Sequence, residues 1–329
     1  LIELLDNPVI RVVAVNNVLI IYIMNSFSMF NEPVVDQVGS HMIMSNGSRP
    51  LKKKYCNIDT RFRDDYDSSK TSNYIITLPQ RISKVKTMKI TNAEIPFSFY
   101  NVSESLNNNS IIFTDNKGTS TLYTVADGFY SPETILYNFT TYPINNYIQY
   151  NQYNNNFSQF VFTPSGDVVS MNMQISIDSS GNFDRYEIKN KFGWLLGFRS
   201  DNYTFTSTNE TINSEAMMDF NGARYMYIVL DEFTQNTNDN TFVAPLYRSI
   251  INKNIFARIN TFSLVPLSDC VFGNRVLTLN EKDGTLLSDK RNYTGVDLQK
   301  LRVELVNEFG NLVNLNGLDF SFCLEIEYE

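Results

Sequence analysis

The end of the chain constrains the fold most. Phe320, Phe322, Leu324, Ile326 and Tyr328 alternate with Ser321, Cys323, Glu325 and Glu327, and upstream Leu301, Val303 and Leu305 alternate with Lys300, Arg302 and Glu304. A strand points successive side chains to opposite faces, so this two-residue period demands one buried and one wet face. Strands of that kind belong to antiparallel sheets packed as a sandwich, whereas parallel α/β strands are buried on both sides and read as unbroken apolar runs.

The same pattern recurs through the chain from Lys52 onward. Tyr74, Ile76 and Leu78 alternate with Ile75 and Thr77 up to Pro79, which is expected to stop the run, and residues 85–95 form a further strand closed by Pro96. Ile111 to Thr114 and Thr121 to Val125 flank Asp115-Asn116-Lys117-Gly118, a hairpin with glycine at its bend. Met171, Met173, Ile175 and Ile177 alternate with polar neighbours, and Tyr225 to Leu230 and Ile255 to Ile259 supply two more strands. The 19 Tyr and 24 Phe agree with this, because aromatic side chains suit a pleated, half-buried surface. Helices are few. Ser131 can cap one that starts at Pro132 and carries Ile135, Leu136, Phe139 and Tyr142 along one side; a second short one is expected over residues 190–196. Residues 52–329 therefore read as one all-β domain, large enough to bury a full core without disulfides or metals.

Residues 1–51 read as an arm and linker. Residues 9–24 are apolar but broken by Arg11, Asn16 and Asn17, and the longest clean run, Val18 to Met24, is far short of the ~20 residues a membrane helix requires. No membrane span is expected, and no small-residue cleavage site marks a signal peptide. The apolar residues of the arm, Val13, Val15, Leu19 and Ile21 among them, are too many to leave in water, so they are the expected contact residues.

Several chemistries are disfavoured by what the chain carries. A net charge of −8 argues against a nucleic-acid partner, and the one basic run, Lys52-Lys53-Lys54, reads as a solvated leader. Cys56, Cys270 and Cys323 have no metal-ligand spacing, and the single His, His41, leaves little basis for a His-ligated metal or a triad. No phosphate loop, nucleophile elbow or calcium loop occurs, so no cofactor is expected. Asp64, Asp65 and Asp67 cluster, and Glu325 and Glu327 share a strand face; a solvated turn and a solvated face outweigh an acid/base pair. Trp194 reads as a packed aromatic rather than a sugar platform, and the Tyr-rich residues 142–153 suit partner contact. Eight Asn-x-Ser/Thr matches, at Asn46, Asn101, Asn108, Asn138, Asn156, Asn202, Asn209 and Asn292, are what chance delivers in a chain this rich in Asn.

A series of stretches, in order, resembles the single jelly-roll capsid proteins of nucleocytoplasmic large DNA viruses, especially their pentons. They are residues 57–62 with Asp59 and Arg61, residues 74–79 and 90–96, residues 128–133 with Gly128 and Tyr130, residues 195–198 with Gly197 and Phe198, and Arg224-Tyr225 leading to Asp231. The series closes with residues 301–305, Phe309-Gly310 and residues 316–322 with Gly317, Asp319 and Phe320. Together they cover about residues 55–328. The resemblance implies an eight-stranded single jelly-roll, a non-enzymatic penton subunit that forms a homopentamer in the capsid of a virion assembled in the host cytoplasm, and neighbours that are double jelly-roll major capsid proteins and minor capsid proteins. It assigns these residues to scaffold and assembly. A minor capsid or cement protein under the shell, or a glycan- or receptor-binding jelly-roll module, stands as the alternative.

Overall fold

The computed structural model describes residues 9–15, 18–24, 34–38, 41–45, 50–135, 148–150, 161–164, 167–174, 191–206, 210–233, 254–261 and 276–329. Two backbone hairpins precede residue 50: β1 (Val9–Val15) pairs antiparallel with β2 (Val18–Met24), and β3 (Val34–Val38) with β4 (His41–Ser45). The contacts expected of Val13, Val15, Leu19 and Ile21 lie outside what is described, as do those of Leu136, Phe139, Ile175, Ile177, Cys270 and the tyrosines of 142–153.

β5 (Lys52–Asp59) and β6 (Asn73–Pro96) come next. The chain then forms β7 (Ser110–Asp115), β8 (Ser120–Thr124), β9 (Ile148–Tyr150), β10 (Val161–Pro164), β11 (Val168–Asn172), β12 (Asn202–Thr204) and β13 (Ile212–Asn213). It continues through β14 (Tyr225–Asp231), β15 (Ile255–Asn260), β16 (Val276–Asn280), β17 (Leu286–Ser288), β18 (Arg291–Asn307) and β19 (Ser321–Tyr328).

Strand pairing divides the large sheet into two halves that share β6 and β18. In one half β5, β19, residues 85–96 of β6 and β16 lie side by side. In the other, residues 73–82 of β6 are followed by β18, β14 and β15, with β17 added outside. Counting the two halves of β6 separately gives eight antiparallel strands, ordered first-eighth-third-sixth and second-seventh-fourth-fifth. That order is the single jelly-roll.

Pro79 does not end a strand, contrary to the expectation from its missing N–H. β6 runs through it because the ladder to β18 is irregular there: Thr77 faces Lys300, Ile82 faces Leu298, and the residues between need not donate. Lys84, with φ of 56°, sits beside these register shifts, where β6 passes from one half of the sandwich to the other.

The alternation read from the sequence is the alternation of burial. Leu301, Val303 and Leu305 of β18, and Phe320, Phe322, Leu324 and Ile326 at the end, are buried in one cluster with Ile58, Ile90 and Ile228. Each such side chain contributes about 1.5–3 kcal/mol on burial. β14 is covered on both faces, its Tyr227 and Val229 meeting Ile255 and Val306 in a small cluster away from the main core.

Between β6 and β14 the chain builds a second core. Ile111, Phe113, Met171, Met173, Phe192 and Phe198 pack there, against a sheet ordered β12-β11-β7-β8. The β7–β8 hairpin forms as expected: Gly118 has φ of 80°, and the Asp115 carboxylate accepts from the N–H groups of Lys117 and Thr119 at 2.9 and 2.7 Å. Residues 132–135 are helical, with Ser131 Oγ accepting from Thr134 N at 3.2 Å and Ser131 N donating to Thr134 Oγ1 at 2.7 Å. The second helix is a single turn, Phe192–Leu195.

Candidate functional site

Four of the residues singled out from the sequence meet where the first strand of the sandwich adjoins the last. Asp59 ends β5 and accepts from its neighbour's N–H, Arg61 N, at 2.9 Å, while the Arg61 guanidinium closes on the same carboxylate at 2.6 Å. That guanidinium holds the Asp59 carboxyl below the usual carboxylate range. Between them Thr60 is buried: its N–H donates to the Phe320 carbonyl at 3.0 Å, its Oγ1 donates to Asp319 Oδ1 at 2.7 Å, and Phe320 N donates back to Thr60 Oγ1 at 3.0 Å. Arg63, which the sequence did not single out, completes the clasp. Its guanidinium reaches Asp319 at 3.0 Å and the Thr60 carbonyl at 2.8 Å, and lies 3.8 Å above the Tyr66 ring. Asp64 adds the next link, accepting from Thr77 N at 3.1 Å and Thr77 Oγ1 at 2.6 Å on β6. Arg63 went unmarked because its carboxylate partner lies at the far end of the domain, and Asp64, read from the sequence as part of a solvated turn, is instead half-buried against β6.

Gly128 and Tyr130 form a second clasp. A β-carbon at Gly128 would lie 2.9 Å from the Tyr130 ring, so the glycine makes room for that ring. Asn101 ties the same segment down: its side chain accepts from Tyr130 N at 2.8 Å and donates to the Tyr130 carbonyl at 2.7 Å and to the Phe220 carbonyl. At Gly197 both constraints apply, since φ is +97° and a β-carbon would stand 2.1 Å from the Ala216 carbonyl oxygen. Phe198 is fully buried beside it, edge-on to Tyr203 at 5.1 Å.

Arg224 and Asp231 are not brought together; they stand at opposite ends of β14. Arg224 N and Tyr225 N donate to Glu308 Oε2 at 2.6 and 3.2 Å, and Asp231 accepts from Phe233 N at 2.8 Å. Gly310 and Gly317 take φ of 83° and 79° in the turns between β18 and β19.

No family model matches the chain, and no curated protein matches its sequence. Among solved structures, it is similar to the mavirus penton protein at 8% identity, covering 84% of this chain and 100% of that one with a TM-score of 0.38. The jelly-roll assignment rests on the strand order above.

Of the acidic groups weighed as an acid/base pair, Glu325 and Glu327 are paired with lysines. Glu325 meets Lys53 at 2.7 Å and Glu327 meets Lys290 at 2.5 Å, and these lysines hold both carboxyls below the ordinary range. A proton donor needs the opposite shift. Among the described residues no group of three or more His, Cys, Asp or Glu could hold a metal ion, and no helix is long and apolar enough to cross a membrane. Cys56 and Cys323 are free thiols; burial raises the pKa of Cys56. Trp194 carries the Arg199 guanidinium 3.8 Å above its ring and packs against the second core. That covers the ring and favours the packing role over a sugar-stacking platform.

Proposed function

We propose that the chain is a non-enzymatic structural protein of a virion, the penton subunit of an icosahedral capsid, which assembles as a homopentamer beside double jelly-roll major capsid proteins and minor capsid proteins. The observation that carries this reading is the clasp of Thr60 and Arg63 on Asp319. It joins two of the stretches that resemble the capsid family, from opposite ends of the domain, within a jelly-roll strand order. The residues singled out act there as scaffold, which is what a shell subunit requires.

A ring needs a contact between unlike surfaces that closes on itself. The apolar hairpin β1–β2 is the segment best suited to it, since a two-stranded ribbon is marginal alone in water and gains stability by packing on another sheet or chain. The test compares the full chain with one starting at Met44, by circular dichroism and by mass in solution. The shortened chain is expected to stay folded and to assemble less well. The same oligomer with the same dissociation constant would remove the arm from assembly, and a full chain that stays monomeric at its solubility limit would overturn the pentamer.

The reading as a glycan-binding module is favoured by one observation, a cleft between the jelly-roll and the second core.

A further inference from the structure

That cleft has a volume of about 420 Å3 and is lined by Trp194 and Arg199 from the inserted segment, Asp219 and Arg224 before β14, and Glu308 after β18. Two guanidinium groups stand against two carboxylates, so these side chains carry no net charge.

Arg224 and Asp219 are paired at 3.4 Å, and the free hydrogen-bonding atoms of Arg199 and Glu308 are held in place. Arg199 stacks on the Trp194 indole, and its Nη1 donates to the carbonyls of Trp194 and Phe198 at 3.1 and 2.8 Å. The guanidinium plane is thereby set, with Nε and Nη2 making no hydrogen bond among the described residues. Glu308 Oε2 is fixed by the N–H groups of Arg224 and Tyr225, which leaves Oε1 without a partner among the described residues. Partial burial raises the Glu308 pKa.

Each ligand class meets this arrangement differently. An anion would face Asp219 and Glu308, a cation would face the two arginines, and an apolar molecule would leave fixed donors and an acceptor unpaired, at a cost for each. A neutral ligand whose groups both donate and accept satisfies all of them. Neighbouring hydroxyls do so, since a carboxylate accepts from two and a guanidinium donates to two. We propose that the cleft binds a neutral carbohydrate, held by hydrogen bonds and not by stacking on the Trp194 ring that Arg199 covers, in a volume within the usual range for small-molecule sites between structural units. The proposal is independent of the capsid reading, which is tested by oligomeric mass.

Trp194 is the only Trp in the chain, so its fluorescence reports on this cleft alone. The full chain is titrated with the methyl glycosides of glucose, galactose and mannose, with N-acetylglucosamine, and with inorganic phosphate as the anionic control; ligand-observed NMR runs in parallel. A saturable change with at least one neutral sugar and none with phosphate is expected. Arg224→Ala and Glu308→Gln should each weaken that binding about tenfold or more. The Arg224 side chain is 67% exposed, so its removal leaves the packing intact. No binding of any of the four sugars by either method, undiminished binding in both variants, or preferential binding of phosphate would overturn the proposal.

Discussion

Replacing Asp319 by Ala tests whether the clasp between the first and last strands holds the sandwich together, with Arg61→Ala as the contrast. Two carboxylate–guanidinium pairs lie in this small region, Asp59 with Arg61 at 2.6 Å and Asp319 with Arg63 at 3.0 Å. The shorter pair is the weaker one. The Arg61 side chain is 68% exposed, and exposed pairs contribute about 0–1 kcal/mol. The Arg63 side chain is 6% exposed and that of Asp319 22%, and removing one partner of a buried pair costs about 3–5 kcal/mol. Arg63 would keep the carbonyls of Thr60 and Tyr66, the Ser69 hydroxyl and the Tyr66 ring, which lowers the cost. Thr60 Oγ1 would lose its acceptor, which raises it. Roughly 2–3 kcal/mol remains. In a domain of this size each kcal/mol moves Tm by about 2–4 °C, so Asp319→Ala should lower it by roughly 5–10 °C and Arg61→Ala by less than about 4 °C. Calorimetry reads the shift, and urea titration at unchanged slope checks that it is stability that changed. Equal shifts for the two variants would refute the reasoning, because Asp319 holds a buried guanidinium and the Thr60 hydroxyl whereas Arg61 holds only an exposed pair.

Phe322 is 3% exposed in the main core, so Phe322→Ala should cost about 3–5 kcal/mol and appear in the insoluble fraction; a soluble variant of unchanged Tm would sink that placement. Gly197→Ala and Gly317→Ala both force a left-handed residue, at about 1–2 kcal/mol, but only Gly197 also meets backbone, so it should lose markedly more stability in a urea titration. For Glu308 the folded pKa is raised by burial. The carboxyl therefore favours folding at pH below its unfolded pKa, and that contribution is lost as pH rises through the folded value. Glu308→Gln should accordingly be at least as stable as the parent near neutral pH, with its relative advantage fading by about pH 4. A variant clearly less stable at neutral pH than at pH 4, relative to the parent, would contradict this.

Which side chains are buried in β18 and β19 was determined by the sequence itself. The pleat sends alternate residues to opposite faces whatever the neighbours are, so Leu301 to Leu305 and Phe320 to Ile326 could be read directly. Local turn chemistry was legible too, in Asp115 to Gly118 and in the Ser131 cap, because both ends of each interaction lie within a few residues. What lay beyond the sequence depends on partners far along the chain. β6 passes through Pro79 only because β18 shifts register beside it. Gly197 is required because the Ala216 carbonyl comes to where a β-carbon would stand, a contact made only in the fold. Arg63 is a clasp and Arg61 a surface pair although they stand two residues apart, since only the fold decides which guanidinium is buried against Asp319. Alternation is the same in every sheet, so it gave no sign that the strands between β6 and β14 pack around a core of their own. The cleft between that core and the jelly-roll exists only because residues around 194–199, 219–224 and 308 are brought together in three dimensions.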